Sequence, residues 1–337
     1  MMSQENRKKR FGSLGQIFLV TALVLLGRGE SLGAQTSSGE IKKIRLAVPS
    51  ISVSNMPVVM AKELGYYRNE GFDVEIILMR AGVSIQALVA GSADYTGTPG
   101  STVAAAVQGV KLLVLMAYAD KPLYDLIVRP EVLSYADLKG KVFGVGSLSG
   151  FSFEIPQVML SKNGVHPKRD ITMILVGPTE TRLTALRTNA IQATILEPQH
   201  NFIAIKEGFR KLDYSGDYYR TLQGALTVSE QKVKDEPREV ARFVKATLRG
   251  LHAYRDQKNI ALSVMRRFLN LKDAELAEQV YNYHRQTLTS DGTVSEELMR
   301  SMIESYRQSG QVNRYVSVEE VFRFDFSRAA QKELERK

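Results

Sequence analysis

No cysteine occurs among the 337 residues of this chain. That excludes disulfides, thiolate nucleophiles and iron–sulfur clusters, together with cysteine-based zinc sites and the cysteine that carries a bacterial lipid anchor. Histidine is scarce. His166, His200, His252 and His284 share no metal-ligand spacing, so no metal is expected. A Walker A loop is missing. So is the G-x-S-x-G elbow of serine hydrolases, because Leu148 stands at the centre of Gly146 to Gly150. Gly144-Val145-Gly146-Ser147-Leu148-Ser149-Gly150 comes near the dinucleotide fingerprint, yet its third glycine falls one residue late. The next strand ends without an acidic residue for a ribose, so no cofactor is expected. After residue 34 no run approaches 18 apolar residues, and the body of the chain is expected to be soluble. With nucleophile, metal and cofactor signals all missing, binding is favoured over catalysis.

What is present is an ordinary globular composition, 44% hydrophobic and 24% charged, long enough for two domains. Residues 1–34 read as a signal peptide. Arg7-Lys8-Lys9-Arg10 is a basic start, Phe18 to Leu26 an apolar stretch, and Ser31, Gly33 and Ala34 small residues before a polar linker. Export to the periplasm is expected. Arg28 is unusual near a cleavage site and leaves an uncleaved anchor as the alternative. This segment carries five cations (Arg7, Lys8, Lys9, Arg10, Arg28) and two anions (Glu5, Glu30), so the formal charge of +9 falls to about +6 without it. The remaining basic residues are interspersed with acidic ones and form no stripe with stacking aromatics. No nucleic-acid partner is expected.

From Ile44 the pattern alternates short apolar strands with helices, as in a mostly parallel sheet covered on both faces. Strands are expected at Ile44 to Val48, Phe72 to Met79, Tyr95-Thr96 and Lys111 to Tyr118. The helices between them are expected to be capped near Asn55, at Ser84 and at Ser101-Thr102. Tyr124 to Val128 breaks the rhythm as a strand with no helix before it. A second series then follows: strands at Lys141 to Val145, Ile171 to Val176 and Gln192 to Leu196, with intervening helices. Leu222 to Ser229 is another lone strand, and the chain then turns wholly helical. The two lone strands look like crossings between two α/β lobes. Lobe 1 would hold 41–123 and 228–330, lobe 2 would hold 129–221, and the crossings would be 124–128 and 222–227, leaving 331–337 as a tail.

A faint repeat supports two similar lobes. Ala87-Leu88-Val89-Ala90-Gly91-Ser92-Ala93-Asp94-Tyr95-Thr96 is matched in outline by Ala185-Leu186-Arg187-Thr188-Asn189-Ala190-Ile191-Gln192-Ala193-Thr194. Each reads as a helix end, a Gly or Asn stop, a short strand and a Pro-containing turn. Gly/Ser-rich turns lie at several C-terminal strand ends, where open parallel sheets bind ligands and helix N-termini bare their N–H groups. Arg80, ending a strand, is a candidate counter-charge for a ligand. Glu197, at the strand end of the second copy, is a candidate acceptor for a ligand N–H or hydroxyl, or a brace for its own helix.

Several stretches resemble one family. They are Met60-Ala61-Lys62-Glu63-Leu64-Gly65-Tyr66-Tyr67 with Glu70-Gly71-Phe72-Asp73-Val74, then Ala87 to Gly97, Asp137-Leu138-Lys139-Gly140-Lys141 with Gly144, and Glu197-Pro198. They are similar to the NMT1/THI5-like substrate-binding proteins of ABC importers, a group that handles nitrate, sulfonates, taurine and thiamine-pyrimidine precursors. The resemblance spans about 41–330. It implies a type II periplasmic-binding-protein fold, Venus-flytrap closure around one small ligand, and docking of the closed form on an inner-membrane permease by a receptor that is a monomer. Carried over by position, ligand contacts would come from Ser50, Ser52, Ser54 and Asn55, from Gly82, from Thr98, Pro99 and Ser101, from Ser147, Ser149 and Gly150, and from Gly177 and Glu197. Tyr124, at the first crossing, joins them. The pyrimidine synthases of this superfamily carry a cysteine cluster that this chain lacks. The expected function is a periplasmic solute receptor for an anion, sulfonate, organic acid or nitrogen heterocycle. A sensor for a signalling partner and an enzyme on a small heterocycle remain as alternatives.

Overall fold

The computed structural model describes residues 41–148, 151–218 and 220–336. The expected signal peptide, 1–34, lies outside the described residues. The chain begins with β1 (Lys42–Val48), α1 (Met56–Glu63), the short α2 (Tyr66–Asn69), β2 (Phe72–Leu78), α3 (Ala81–Val89), β3 (Tyr95–Thr96), α4 (Pro99–Val107) and β4 (Leu112–Ala117). It continues through β5 (Asp125–Val128), β6 (Val142–Val145), α5 (Phe151–Lys162), β7 (Thr172–Leu175), α6 (Thr179–Arg187), β8 (Ala193–Leu196), α7 (Pro198–Lys206) and β9 (Arg210–Tyr214). Then come β10 (Ala225–Ser229), α8 (Glu230–Asp235), α9 (Pro237–Asp256), α10 (Lys258–Phe268), α11 (Ala274–Arg285), α12 (Glu296–Ser309) and α13 (Asp325–Glu335).

The strands form two five-stranded sheets of one topology, β2-β1-β3-β10-β4 and β7-β6-β8-β5-β9. β10 is antiparallel to both of its neighbours in the first sheet, as β5 is in the second. Each is the strand by which the chain enters that half, which is why it runs against the rest. The two passages meet side by side, where Gln223 N–H donates to Ala119 O at 2.9 Å and Tyr118 N–H donates to Gly224 O at 3.0 Å. Gly224 adopts φ +77, and a Cβ there would lie 2.8 Å from Ser54 O, so a side chain is excluded twice over.

The larger core joins the first sheet to the helices after β10. On α9, Val240, Phe243, Val244, Thr247, Leu248 and Leu251 form one buried stripe. Phe243 stacks between Tyr67 and Tyr95, with ring centroids at 4.6 and 4.1 Å. Gly250 lets α9 press against α1, since a Cβ there would lie 2.1 Å from Pro57 O.

Several local expectations need correction. Ser84 does not cap its helix. α3 starts at Ala81, so Ser84 lies inside the first turn and its hydroxyl donates to Ala81 O at 2.7 Å. Ser101-Thr102 is not a cap either, because the helix begins at Pro99, whose missing N–H suits the first turn. β9 (RKLDY) went unread because this mostly charged strand pairs only with β5 and lacks clean alternation. The tail expected at 331–337 is helical to Glu335. In α13, Phe326, Ala330 and Leu334 recur every four residues and pack on the large core, while Ser327 Oγ donates to Leu115 O at 3.0 Å.

Candidate functional site

The C-terminal ends of the parallel strands in both sheets open onto one cleft of about 790 Å3, its open mouth included. The first half contributes Ser50, Ser52, Ser54 and Asn55 from the segment between β1 and α1, and Thr98, Pro99 and Ser101 from the start of α4. Pro57 stands second in α1 and Pro99 opens α4, which suits both to the first turn and fixes where the helices begin. Asn55 Nδ2 donates to Ser50 O at 2.8 Å, and Ser52 Oγ accepts from Ser54 N–H at 3.2 Å, so the segment is held by its own side chains. Thr98 Oγ1 lies 3.2 Å from Ser84 Oγ and 3.0 Å from Thr96 Oγ1. Ser101 Oγ is buried with no partner among the described residues.

The second half contributes Ser147 after β6, Gly177 after β7 and Glu197 after β8, and Tyr124 lines the cleft from the first passage. Arg80 lines it too, with its side chain exposed at the rim. Gly82 is not brought in; it is exposed on α3, one residue beyond the helix start. Ser149 and Gly150 lie outside the described residues.

Glu197 is only 4% exposed. Burial pushes its carboxyl up to about 7, against the opposing pull of a Tyr124 hydroxyl bond, the Arg182 charge and the Ser54 hydroxyl. Gln223 Nε2 donates to it at 3.4 Å and to Ser54 Oγ at 2.9 Å. The carboxylate thus collects donors from the first half and both passages. Burial beside Glu197 likewise raises the Tyr124 hydroxyl, which stays protonated.

Arg182, Gln223, Phe151, Ser152 and Thr179 also line the cleft and were missed. Arg182 carries a signal in retrospect. Thr179, Arg182, Leu183 and Leu186 have the spacing of one inward helix face, and a charge on such a face is a site candidate. Phe151 packs into the space left by Gly100, where a Cβ would lie 2.7 Å from its ring and 2.8 Å from Tyr306 Oη. Gln199 Nε2 reaches the other way across the cleft to Ile51 O at 3.0 Å.

No histidine lines the cleft, so no hydroxyl there has an imidazole base beside it among the described residues. Nor is there a group of three His, Asp or Glu side chains placed to hold a metal among those residues. No helix of the described residues is long and apolar enough to cross a membrane. What the arrangement can do is neutralise charge, accept and donate hydrogen bonds, and exclude water from a small molecule held between two walls.

Residues 53–259 match the family model described as NMT1/THI5 like. The riboflavin-binding protein RibY of Chloroflexus aurantiacus is 24% identical over 315 residues, 87% of this chain and 88% of that one. Among solved structures, the alkanesulfonate-binding protein SsuA from Xanthomonas axonopodis pv. citri, bound to MOPS, superposes with a TM-score of 0.70. It is 17% identical, and the match covers 84% of this chain and 99% of that one. The desulfurization enzyme DSZB has the same fold, with a TM-score of 0.63, 12% identity, and coverage of 87% and 99%.

Proposed function

The chain belongs to the NMT1/THI5-like family, and from that premise we propose that it is an extracytoplasmic solute receptor. It captures one small molecule between its two halves and delivers it, unchanged, to an ABC permease in the membrane. The observation that carries this reading is the convergence of buried polar groups from both sheets on one cleft, with Glu197 accepting from Ser54 and Gln223 across it. A ligand seated there touches both halves only when they are together. Its differential contacts then shift the population toward the closed form, and that form is what the permease reads. In this reading the halves are lobes that rotate about the passages near Tyr124 and Gly224.

The test is a thermal-shift screen of the mature chain against inorganic anions, sulfonates, aromatic and aliphatic acids, pyrimidines and flavins, followed by mass spectrometry of each bound compound. One class should raise the melting temperature in a concentration-dependent way, and the compound should be recovered intact. Chemical conversion of the bound compound would overturn the receptor reading in favour of an enzyme.

A further inference from the structure

α7 ties the two halves together outside the cleft. Its N-cap is Glu197, so the helix starts at the cleft wall. Gln199, Phe202 and Lys206 follow at i, i+3 and i+7, one stripe of one helix face. All three meet the first half. Gln199 Nε2 donates to Ile51 O at 3.0 Å. The Phe202 ring stands edge-on to Tyr283 of α11, with centroids 5.9 Å apart and planes at 89°. Lys206 Nζ pairs at 3.1 Å with the carboxylate of Asp273, the N-cap of α11. Tyr283 also meets Tyr214 at the end of β9, with centroids 6.4 Å apart and planes at 82°. Tyr214 is itself fixed: its hydroxyl donates to Pro122 O at 2.9 Å, and Lys211 Nζ lies 5.4 Å from its ring centroid. Tyr283 thus touches two aromatic rings of the other half.

None of Phe202, Lys206, Tyr214, Asp273 and Tyr283 lines the cleft. Yet each side of this seam continues into a cleft wall. α7 begins at Glu197, and α11 packs against Val53–Asn55, which carries Ser54 and Asn55. Phe202 and Tyr283 both pack on the large core of the first half. Drawing α7 away from α11 would expose that apolar surface and part both ring pairs. The seam therefore favours the approach of the halves whether or not a cargo is present. Resting on the receptor reading above, we propose that the α7–α11 seam, through Phe202 and Tyr283, sets the balance between open and closed receptor. It contributes part of the free energy of closure, and the cargo contributes the rest. Affinity for every cargo then scales with the closed fraction that the seam maintains, while the ranking of cargoes is left to the cleft.

The chain has no cysteine, so a pair of spin labels can be placed without background. Val83→Cys and Leu148→Cys serve for this. Both positions are exposed, one shortly after Arg80 and Ala81 on the first cleft wall, the other directly after Ser147 on the second. Dipolar electron paramagnetic resonance on the labelled, ligand-free chain reads the ratio of short to long distances. Phe202→Ala and Tyr283→Ala should each lower that ratio by at least about threefold, as expected for the loss of edge-to-face contacts. Tyr283→Phe, which keeps the ring, should stay within about twofold of the parent. Because the two rings touch, Phe202→Ala combined with Tyr283→Ala should fall short of the product of the single effects. Lys206→Gln should change the ratio by less than about twofold, since that ion pair is exposed. Two populations whose ratio is unchanged or rises in Phe202→Ala and Tyr283→Ala would overturn the seam and leave the receptor reading intact. One distance, identical in every variant, would overturn both the seam and the rotation of the halves. Circular dichroism verifies the fold, and Tyr283→Leu carries the test if Tyr283→Ala does not fold.

Discussion

In the first half of the molecule, α3 runs Ala81–Val89, and Gly91 follows with φ +69; in the second, α6 runs Thr179–Arg187, and Asn189 follows with φ +61. The hydrogen bonds agree as well. Ser92 and Ala93 donate to Ala87 O at 2.9 and 3.1 Å, and Ala190 and Ile191 donate to Ala185 O at 2.9 and 3.3 Å. Thr96 pairs with Ala47 in one sheet as Thr194 pairs with Gly144 in the other. The backbone is therefore one device built twice. The side chains are not. Ser84 occupies the place in α3 that Arg182 occupies in α6, and Thr98 precedes α4 as Glu197 precedes α7. At the cleft one wall offers the Thr98 hydroxyl, with the buried Ser84 hydroxyl 3.2 Å from it; the other offers Arg182 and Glu197. The scaffold needs the shared features, and the two walls differ chemically where the copies part.

The largest effect should come from removing the charge that only the second wall has. Burial holds the Glu197 carboxyl near 7 in the folded chain, against 4.5 for a free glutamate. The folded state therefore binds the extra proton between these values, and stability falls as pH rises from about 4.5 to about 7, then levels off. Arg182 and Glu180 pull this value in opposite directions and remain in place in the experiment. Glu197→Gln removes the titration. The unfolding free energy of the variant minus that of the natural chain should climb by about 3 kcal/mol across that window. Thr98→Val, on the other wall, should give a difference that does not vary with pH. A flat Glu197→Gln curve in denaturant titrations would remove the electrostatic contrast between the walls.

A second contrast lies one residue into each helix. Gly100 in α4 recedes and admits Phe151 from the opposite half, whereas Gln199 in α7 protrudes and donates to Ile51 O. Gly100→Ala puts a methyl group 2.7 Å from the Phe151 ring, an overpacking that should cost about 2 kcal/mol. Moving the halves apart relieves the Phe151 contact but not the one with Tyr306 Oη on the same half, so part of the cost should remain while the radius of gyration from small-angle scattering increases and ligand affinity falls. Gln199→Ala loses one hydrogen bond and should cost about 1 kcal/mol. Equal effects would mean that the halves do not approach at Gly100 as the structure has it.

Much of this frame was legible before any coordinates. Alternating strands, two lone strands and helical stripes are periodic signals, and they are carried by residues such as Val240 and Phe243 that the core then buries. The strand-end turns were legible because Pro99 and Pro198 mark helix starts. β9 was hidden because an edge strand pairs on one side and tolerates charge. α13 was hidden because its core face rests on widely spaced Phe326, Ala330 and Leu334. Arg182 was hidden for a different reason. An arginine normally reads as a solvated helix residue, and only its place among Thr179, Leu183 and Leu186 says otherwise. Arg80, ending a strand just before Gly82, carries the plainer signal; it lines the cleft and is exposed.

The smallest expected effect tests the shared backbone itself. Gly91 has open space around its Cα, so Gly91→Ala meets no clash and is penalised only by its left-handed φ, at about 1 kcal/mol. Asn189 tolerates that conformation better than most residues, and its side chain accepts from Gln192 Nε2 at 3.1 Å on the surface. Asn189→Ala should therefore cost about as much as Gly91→Ala, and Asn189→Gly should be neutral or stabilise by a few tenths of a kcal/mol. Urea unfolding midpoints of the three variants decide the matter. If Gly91→Ala and Asn189→Ala differ by more than about 1 kcal/mol, the two stops are not energetically equivalent. The repeat would then be one of shape alone.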